Sequence, residues 1–224
     1  MNVAGHRKRT LHAEVIATAR EMNALGINRG KSGNVSARLR DAAFDGYLIT
    51  PSGMSYASIV PDDIVAMPID GEEEAARGRR LPSSEWRFHR DIYRARPDAG
   101  AIVHTHAPFA TSLACLQRGI PAFHYMVAVA GGKDIRCAPY ATFGTQALSD
   151  HAFVALEARR ACLLANHGMI ALGATLEKAL ALAVEIETLA EMYSHALQIG
   201  APVLLSDAEM DIVVAKFRTY GQQE

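Results

Sequence analysis

Two histidines one residue apart, in Val103-His104-Thr105-His106-Ala107-Pro108, are the residues of this chain best placed to do chemistry. On an extended strand alternate side chains share a face, so His104 and His106 project toward one point. Two imidazoles so placed can share a metal ion. Zinc in a catalytic site takes three protein ligands and keeps a fourth position open, so a third ligand must come from elsewhere. The best candidate is His167 in Cys162-Leu-Leu-Ala-Asn-His167-Gly168, which also ends an apolar run and sits beside a glycine that permits a tight turn. The competing reading is a pair of half-exposed strand histidines with no metal. A second strand-end histidine tilts the balance toward the ion.

Glu85 is the carboxylate that could work beside such a metal, in Leu81-Pro82-Ser83-Ser84-Glu85-Trp86. This stretch opens a helix that runs to about Arg94, with Glu85 in its first turn and Pro97 closing the segment. Ser83 and Ser84 at such a terminus can cap the helix or hold a phosphate, since free N–H groups and the helix dipole both favour an anion there. His89 reads as a surface or core residue of that helix and is not counted as a ligand. A second stretch of small polar residues, Arg29-Gly-Lys31-Ser32-Gly33-Asn34-Val-Ser36, can form an anion-binding concavity to which Lys31 adds charge. It is equally a helix-to-strand turn that needs positive φ at Gly30 and Gly33. Pro51-Ser52-Gly53 is a turn of the same kind.

The elements that must position these groups are helices flanking short strands. Leu11, Val15, Ala19, Met22 and Leu25 mark one apolar helical stripe that Gly26 ends. Strands are expected at 47–50, 64–67, 161–165 and 169–172, with Asp70-Gly71 and the charged run to Arg80 as a solvated hairpin turn. Helical spacing continues over 109–116, from Thr145 to about Ala158, and from Leu176 to Ile199 before Gly200. Ser206-Asp-Ala-Glu209 has capping-box spacing and begins a last helix toward Tyr220-Gly221. Between them, a strand and loop are expected over 135–144, and Tyr125 lies in an apolar stretch where polar tips usually find a core hydrogen bond. No G-x-G-x-x-G turn or Walker lysine loop accompanies these elements, so they form an α/β or α+β layer fold that binds no nucleotide in either way.

Composition narrows the class further. The 224 residues suit one domain, half of them hydrophobic, with a formal net charge of −1. That balance gives no broad cationic field for nucleic acid or an anionic membrane. Cys115, Cys137 and Cys162 have no metal-clip spacing and read as reduced core thiols of a cytoplasmic protein. The N-terminus carries no apolar signal segment.

The motifs taken together resemble the class II aldolase/adducin family. The matching segments are Gly33-Asn34-Val35-Ser36, Ile49-Thr-Pro-Ser-Gly53, Leu81-Pro-Ser-Ser-Glu-Trp-Arg-Phe-His89, His104-Thr-His106, Ile120-Pro-Ala-Phe-His-Tyr-Met126, Cys137-Ala-Pro-Tyr-Ala-Thr-Phe-Gly-Thr145, His167-Gly168 and Phe217-Arg-Thr-Tyr-Gly221. They occur in the family's order over nearly the whole chain. The resemblance implies a single domain over residues 1–224, an α/β/α sandwich with a mostly antiparallel central sheet, assembled as a homotetramer with sites between subunits. It implies zinc on His104, His106 and His167, with Glu85 as the acid/base that also touches the metal. Gly33, Asn34, Ser52, Gly53, Ser83 and Ser84 would hold the substrate phosphate, Lys31 would stand beside them, and Tyr125 and Tyr220 would reach a neighbouring subunit's site. The implied reaction is cleavage of a ketose 1-phosphate resembling L-fuculose 1-phosphate to dihydroxyacetone phosphate and an aldehyde.

The chemistry agrees with that residue set. Breaking the C3–C4 bond leaves electrons that must delocalise into the C2 carbonyl as an enediolate, and a divalent cation can absorb the charge as a Lewis acid. Glu85 would move the proton at C3 and Tyr125 would exchange that of the aldehyde oxygen, on the far side of the substrate. The common alternative, a lysine Schiff base, has little support, because none of the five lysines lies in an apolar strand that would depress its pKa. Two positions depart from the family pattern: Lys31 replaces a smaller hydroxyl residue, and Asn166 replaces a histidine. Either change can track a different aldehyde half, such as that of 5-deoxyribulose or methylthioribulose 1-phosphate. A same-fold dehydratase or 4-epimerase and an adducin-like binding module without catalysis are the remaining alternatives.

Overall fold

Strands buried on both faces are apolar at nearly every position, and in this chain successive residues divide cleanly between two cores. The computed structural model describes residues 3–41 and 44–217. Its sheet has seven strands: β1 (Asn34–Asp41), β2 (Phe44–Ile49), β3 (Val65–Pro68), β4 (Ala101–Thr105), β5 (Cys137–Ala138), β6 (Ala161–Leu164) and β7 (Gly168–Gly173). Their order is β3-β2-β1-β4-β7-β6-β5. Every pairing is antiparallel except β5 with β6.

Val35, Ala37, Leu48, Val103, Leu163 and Met169 enter one core. Tyr47, Ile49, Ile102, Cys162, Leu164 and Ile170 enter the other. Helices α1 (Val3–Ala24), α3 (Pro108–Cys115), α5 (Leu176–Ile199) and α6 (Asp207–Phe217) bring Val15, Met22, Leu113, Ile186, Leu189 and Met210 to the first face. Helices α2 (Trp86–Ala95) and α4 (Gln146–Ala155) bring Phe88, Ile92, Tyr93, Leu148 and Ala152 to the second. The result is the expected α/β/α sandwich with a mostly antiparallel sheet. Threonine and serine caps set several helix starts: Thr145 Oγ1 accepts from Leu148 N, Thr175 Oγ1 from Lys178 N and Ser206 Oγ from Glu209 N. Each is worth roughly 1 kcal/mol.

Three local expectations change. Helix α2 begins at Trp86, so Glu85 is its N-cap residue rather than part of the first turn, and its side chain does no capping. The serines do not cap α2: Pro82 bridges Pro51, Ser83 N donates to the Thr50 carbonyl, and Ser83 Oγ accepts from Glu85 N, one residue before the helix. Cys162 alone of the three cysteines is a core thiol: Cys115 is exposed at the end of α3 and Cys137 is half-buried. Tyr220 and Gly221 lie outside the described residues. Among the described residues no helix is long and apolar enough to cross a membrane.

Candidate active site

The sheet brings the polar groups together by register. β1 lies antiparallel to β4 with Asn34 opposite His104, and β4 pairs with β7 with His104 opposite Ile170. His104 therefore sits at the end of a central strand on the face covered by α2. His104 Nδ1 lies 2.9 Å from the Met169 carbonyl. Donation to that acceptor puts a proton on Nδ1 and turns Nε2 toward the site. His106 lies one residue beyond β4, and its Nε2 is 3.2 Å from His104 Nε2.

His167 arrives from the turn between β6 and β7. The residue with left-handed backbone there is Asn166, at φ 54°, not the glycine. Asparagine tolerates that conformation better than most side chains, which accounts for its place before His167. Gly168 serves instead by lacking a side chain: a Cβ there would lie 2.5 Å from the Thr105 carbonyl, 3.0 Å from the His106 ring and 3.3 Å from the His104 ring. The three imidazoles stand nearly perpendicular to one another with centroids 4.8–5.1 Å apart. One ligand nitrogen from each falls within 4.8 Å of the others.

Glu85 completes the cluster from the start of α2. Its Oε2 is 3.0 Å from His104 Nε2 and accepts from Asn34 Nδ2 at 3.0 Å. Its Oε1 lies 3.3 Å from His167 Nε2 but is buried without a hydrogen-bond partner. Burial pushes the Glu85 carboxyl up, yet His104, His167 and the Asn34 amide together hold it at about 2. Burial and then the neighbouring His104 push His106 and His167 down to about 4, so both rings are neutral and carry lone pairs. Burial lowers His104 as well, but Glu85 and the Met169 carbonyl outweigh it and raise the ring. Three ring nitrogens and a carboxylate oxygen with no donor of its own fit a divalent cation.

In front of the cluster lies a cavity of about 280 Å³. Lys31, Ser32, Gly33, Asn34, Ser52, Gly53, Ser83 and Ser84 line one side with Glu85, His106 and His167, and Tyr140, Ala141 and Phe143 line another. The loops are tied together: Ser52 N donates to the Leu81 carbonyl and Tyr56 OH to the Gly33 carbonyl. Gly33 adopts φ 75° and a Cβ there would strike the His104 carbonyl at 2.6 Å, so the loop lies directly against β4. A larger hollow of 580 Å³ beside α5 has scattered charges such as Asp98, Arg160 and Lys178, with no histidine among its walls.

Every expected metal, carboxylate and phosphate-loop residue meets in this one cavity or on its floor, whereas Tyr125 does not. It is half exposed in a 3-10 turn and borders a separate hollow with Phe123, Leu205 and Phe217. Sequence reasoning missed Asn28, whose buried Oδ1 accepts from Thr105 Oγ1 and His106 N, and gave no weight to the aromatic wall of Tyr140 and Phe143. It also left His89 uncertain; the ring is fully buried and bonded to Asn34 and Ser36.

Comparison with known proteins places the chain in a family. Residues 13–194 match the model of the class II aldolase and adducin N-terminal domain. A 5-methylthioribulose-1-phosphate/5-deoxyribulose-1-phosphate aldolase of Rhodospirillum rubrum is 59% identical, over 92% of this chain and 90% of its own. An L-fuculose phosphate aldolase of Escherichia coli is 51% identical, over 94% and 95%. A solved structure of an L-fuculose 1-phosphate aldolase superposes with a TM-score of 0.88 at 42% identity, covering 93% of this chain and 96% of that one. On fold, site and relatives together, the chain belongs to the class II aldolase and adducin family, as a class II aldolase.

Proposed function

We propose that the chain, acting as one domain over residues 1–224, cleaves a ketose 1-phosphate between C3 and C4 to dihydroxyacetone phosphate and an aldehyde. His104, His106 and His167 would hold zinc, and Glu85 would reach the same ion. The observation that carries this reading is the meeting of three imidazoles and an unpartnered carboxylate oxygen on the floor of a cavity walled by serine and glycine loops. Bound there, the ion supplies Lewis-acid stabilisation of the negative charge that develops on substrate oxygens. Gly33, Asn34, Ser52, Gly53, Ser83 and Ser84 surround the phosphate, with Lys31 at the rim adding the compensating charge.

Glu85 carries the proton to or from C3, since a carboxylate fixed at that end of the cavity is within reach of the reacting carbon. Tyr125 exchanges the proton of the aldehyde oxygen in a neighbouring subunit's site. Its exposure, away from its own cavity, supports that arrangement. Tyr220 approaches from the same neighbour, in a cytoplasmic homotetramer with its sites at subunit contacts.

The aldehyde half has two readings. A substrate like L-fuculose 1-phosphate would release a hydroxyaldehyde. The aromatic wall of Tyr140 and Phe143 and the 59% identical relative favour an apolar end instead, as in 5-deoxyribulose or 5-methylthioribulose 1-phosphate. Release of dihydroxyacetone phosphate from a panel of these three substrates, with and without a chelator, tests both levels. Chelator-sensitive cleavage with higher kcat/KM for the 5-substituted pentuloses is expected. A preference for L-fuculose 1-phosphate reverses the specificity reading, and no cleavage of any of them ends the aldolase assignment.

A further inference from the structure

From Glu85 and Asn34 on the cavity wall a single line of hydrogen bonds runs back to three buried groups, His89, Ser36 and Tyr93, to which the cleavage chemistry gives no part. Tyr93 OH is 2.8 Å from Ser36 Oγ, and Ser36 Oγ is 2.7 Å from His89 Nδ1. His89 Nε2 bonds Asn34 Oδ1, and Asn34 Nδ2 donates to Glu85 Oε2 at 3.0 Å. Tyr93, Ser36 and His89 are at most 1% exposed, so no bulk water competes for these bonds.

The last member fixes the proton positions of all the others. A carboxylate has no proton to give, so Asn34 must present its NH₂ to Glu85 and its carbonyl to His89. A carbonyl only accepts, so His89 carries its proton on Nε2 and a lone pair on Nδ1. Ser36 then donates to Nδ1 and takes its own hydrogen bond from Tyr93. The ring is held by Phe88 at 4.6 Å and Tyr47 at 6.4 Å between centroids, both stacked.

We propose that His89 is the positioning residue for Glu85: its Nε2 proton locks the Asn34 amide in the one orientation that offers the carboxylate a donor, keeping Oε1 aimed at the histidine cluster. The proposal rests on Glu85 as the proton carrier. Without that lock the amide can turn its carbonyl toward the carboxylate, which repels it, and Glu85 leaves its place. Misplacement by about 1 Å of a group that moves a proton costs on the order of 100-fold in rate.

Two variants and one spectrum test the inference. His89→Phe keeps a stacked ring but removes both nitrogens, whereas His89→Gln places an amide N–H near the position of Nε2. His89→Phe is expected to lower kcat by about 30- to 100-fold with KM within about twofold and bound metal unchanged, and His89→Gln to restore most of the loss. Equal loss in both variants, or an unchanged kcat in His89→Phe, overturns the proposal. Where the phenylalanine variant does not fold, the imidazole ¹⁵N spectrum of the metal-free wild-type protein decides. The neutral Nε2–H tautomer of His89 supports the lock, and an Nδ1–H tautomer or an imidazolium overturns it. That spectrum does not depend on cleavage, so a chain inactive on ketose phosphates would sink the reaction and still reveal which nitrogen of His89 carries the proton.

Discussion

Two buried carboxylates in this molecule have the same depressed pKa, about 2, for opposite reasons. Asp63, at the end of a 3-10 turn, is only 2% exposed and fully satisfied. Its Oδ1 accepts from Arg79 and Arg80 at 2.9 and 2.7 Å, and its Oδ2 from Val60 N at 3.0 Å. Glu85 is nearly as well buried, but the rings around it are imidazoles that can give up their protons, and Oε1 has no hydrogen bond. A structural carboxylate is closed by fixed guanidinium cations. Glu85 faces ring nitrogens instead, and in the proposed reading a divalent cation would complete it.

The contrast breaks most visibly if a ring is removed. His167→Ala is expected to abolish metal binding and to cut activity by at least about 1000-fold, measured by metal analysis and turnover on the same preparation. Full-occupancy zinc in that variant would dismiss the ligand set. Glu85→Gln comes next: a fall of about 100- to 10,000-fold in cleavage and in proton exchange on dihydroxyacetone phosphate, with the melting temperature near that of the wild type. Normal exchange would remove Glu85 from its role and make it merely a second Asp63.

Asp63→Asn is the mirror experiment, with catalysis kept and stability lost. The two arginines are about half exposed, which limits the expected loss to about 1–2 kcal/mol, or roughly 3–6 °C in melting temperature. The acid dependence is smaller still and has a definite sign. Because the folded pKa of Asp63 lies below its ordinary 3.8, its contribution is present above that value and fades as pH falls toward about 2. Unfolding by urea from about pH 5 to pH 2 should therefore show a shallower loss in Asp63→Asn than in the wild type. Identical slopes would mean that the guanidinium pairs contribute nothing measurable.

These groups were not equally legible in the sequence. His104 and His106 were visible because strand periodicity is local, and His167 because it too ends an apolar run. The loops around Gly33, Gly53 and Ser83 announced themselves by small polar composition. Glu85 stands out in the sequence as the carboxylate beside the serines, but its place before the helix does not, since the bridge of Pro82 to Pro51 is a contact between residues 31 positions apart in sequence. The role of Gly168 was misread for a related reason. A glycine needed for close approach looks in sequence like one needed for a turn, and Asn166 took the turn. The bonds that tie His89 and Asn28 to the site are out of reach of the sequence, because they join residues 53 to 78 positions apart and no spacing rule connects them. Nor could spacing show that the segment from Tyr140 to Phe143 folds over the cavity.

β4, which carries His104, is hydrogen-bonded on both sides, to β1 and to β7. An interior strand of this kind opens only when the whole sheet does, so the amides around His104 should be among the slowest to exchange with deuterated solvent, while the segments at 29–33 and 140–144 exchange by local breathing. With that exchange pattern, the proposed metal-binding strand would be moored to an unyielding part of the molecule and the proposed substrate-facing loops to more yielding ones. Descendants of such a scaffold can rewrite what they accept without disturbing how they cut it.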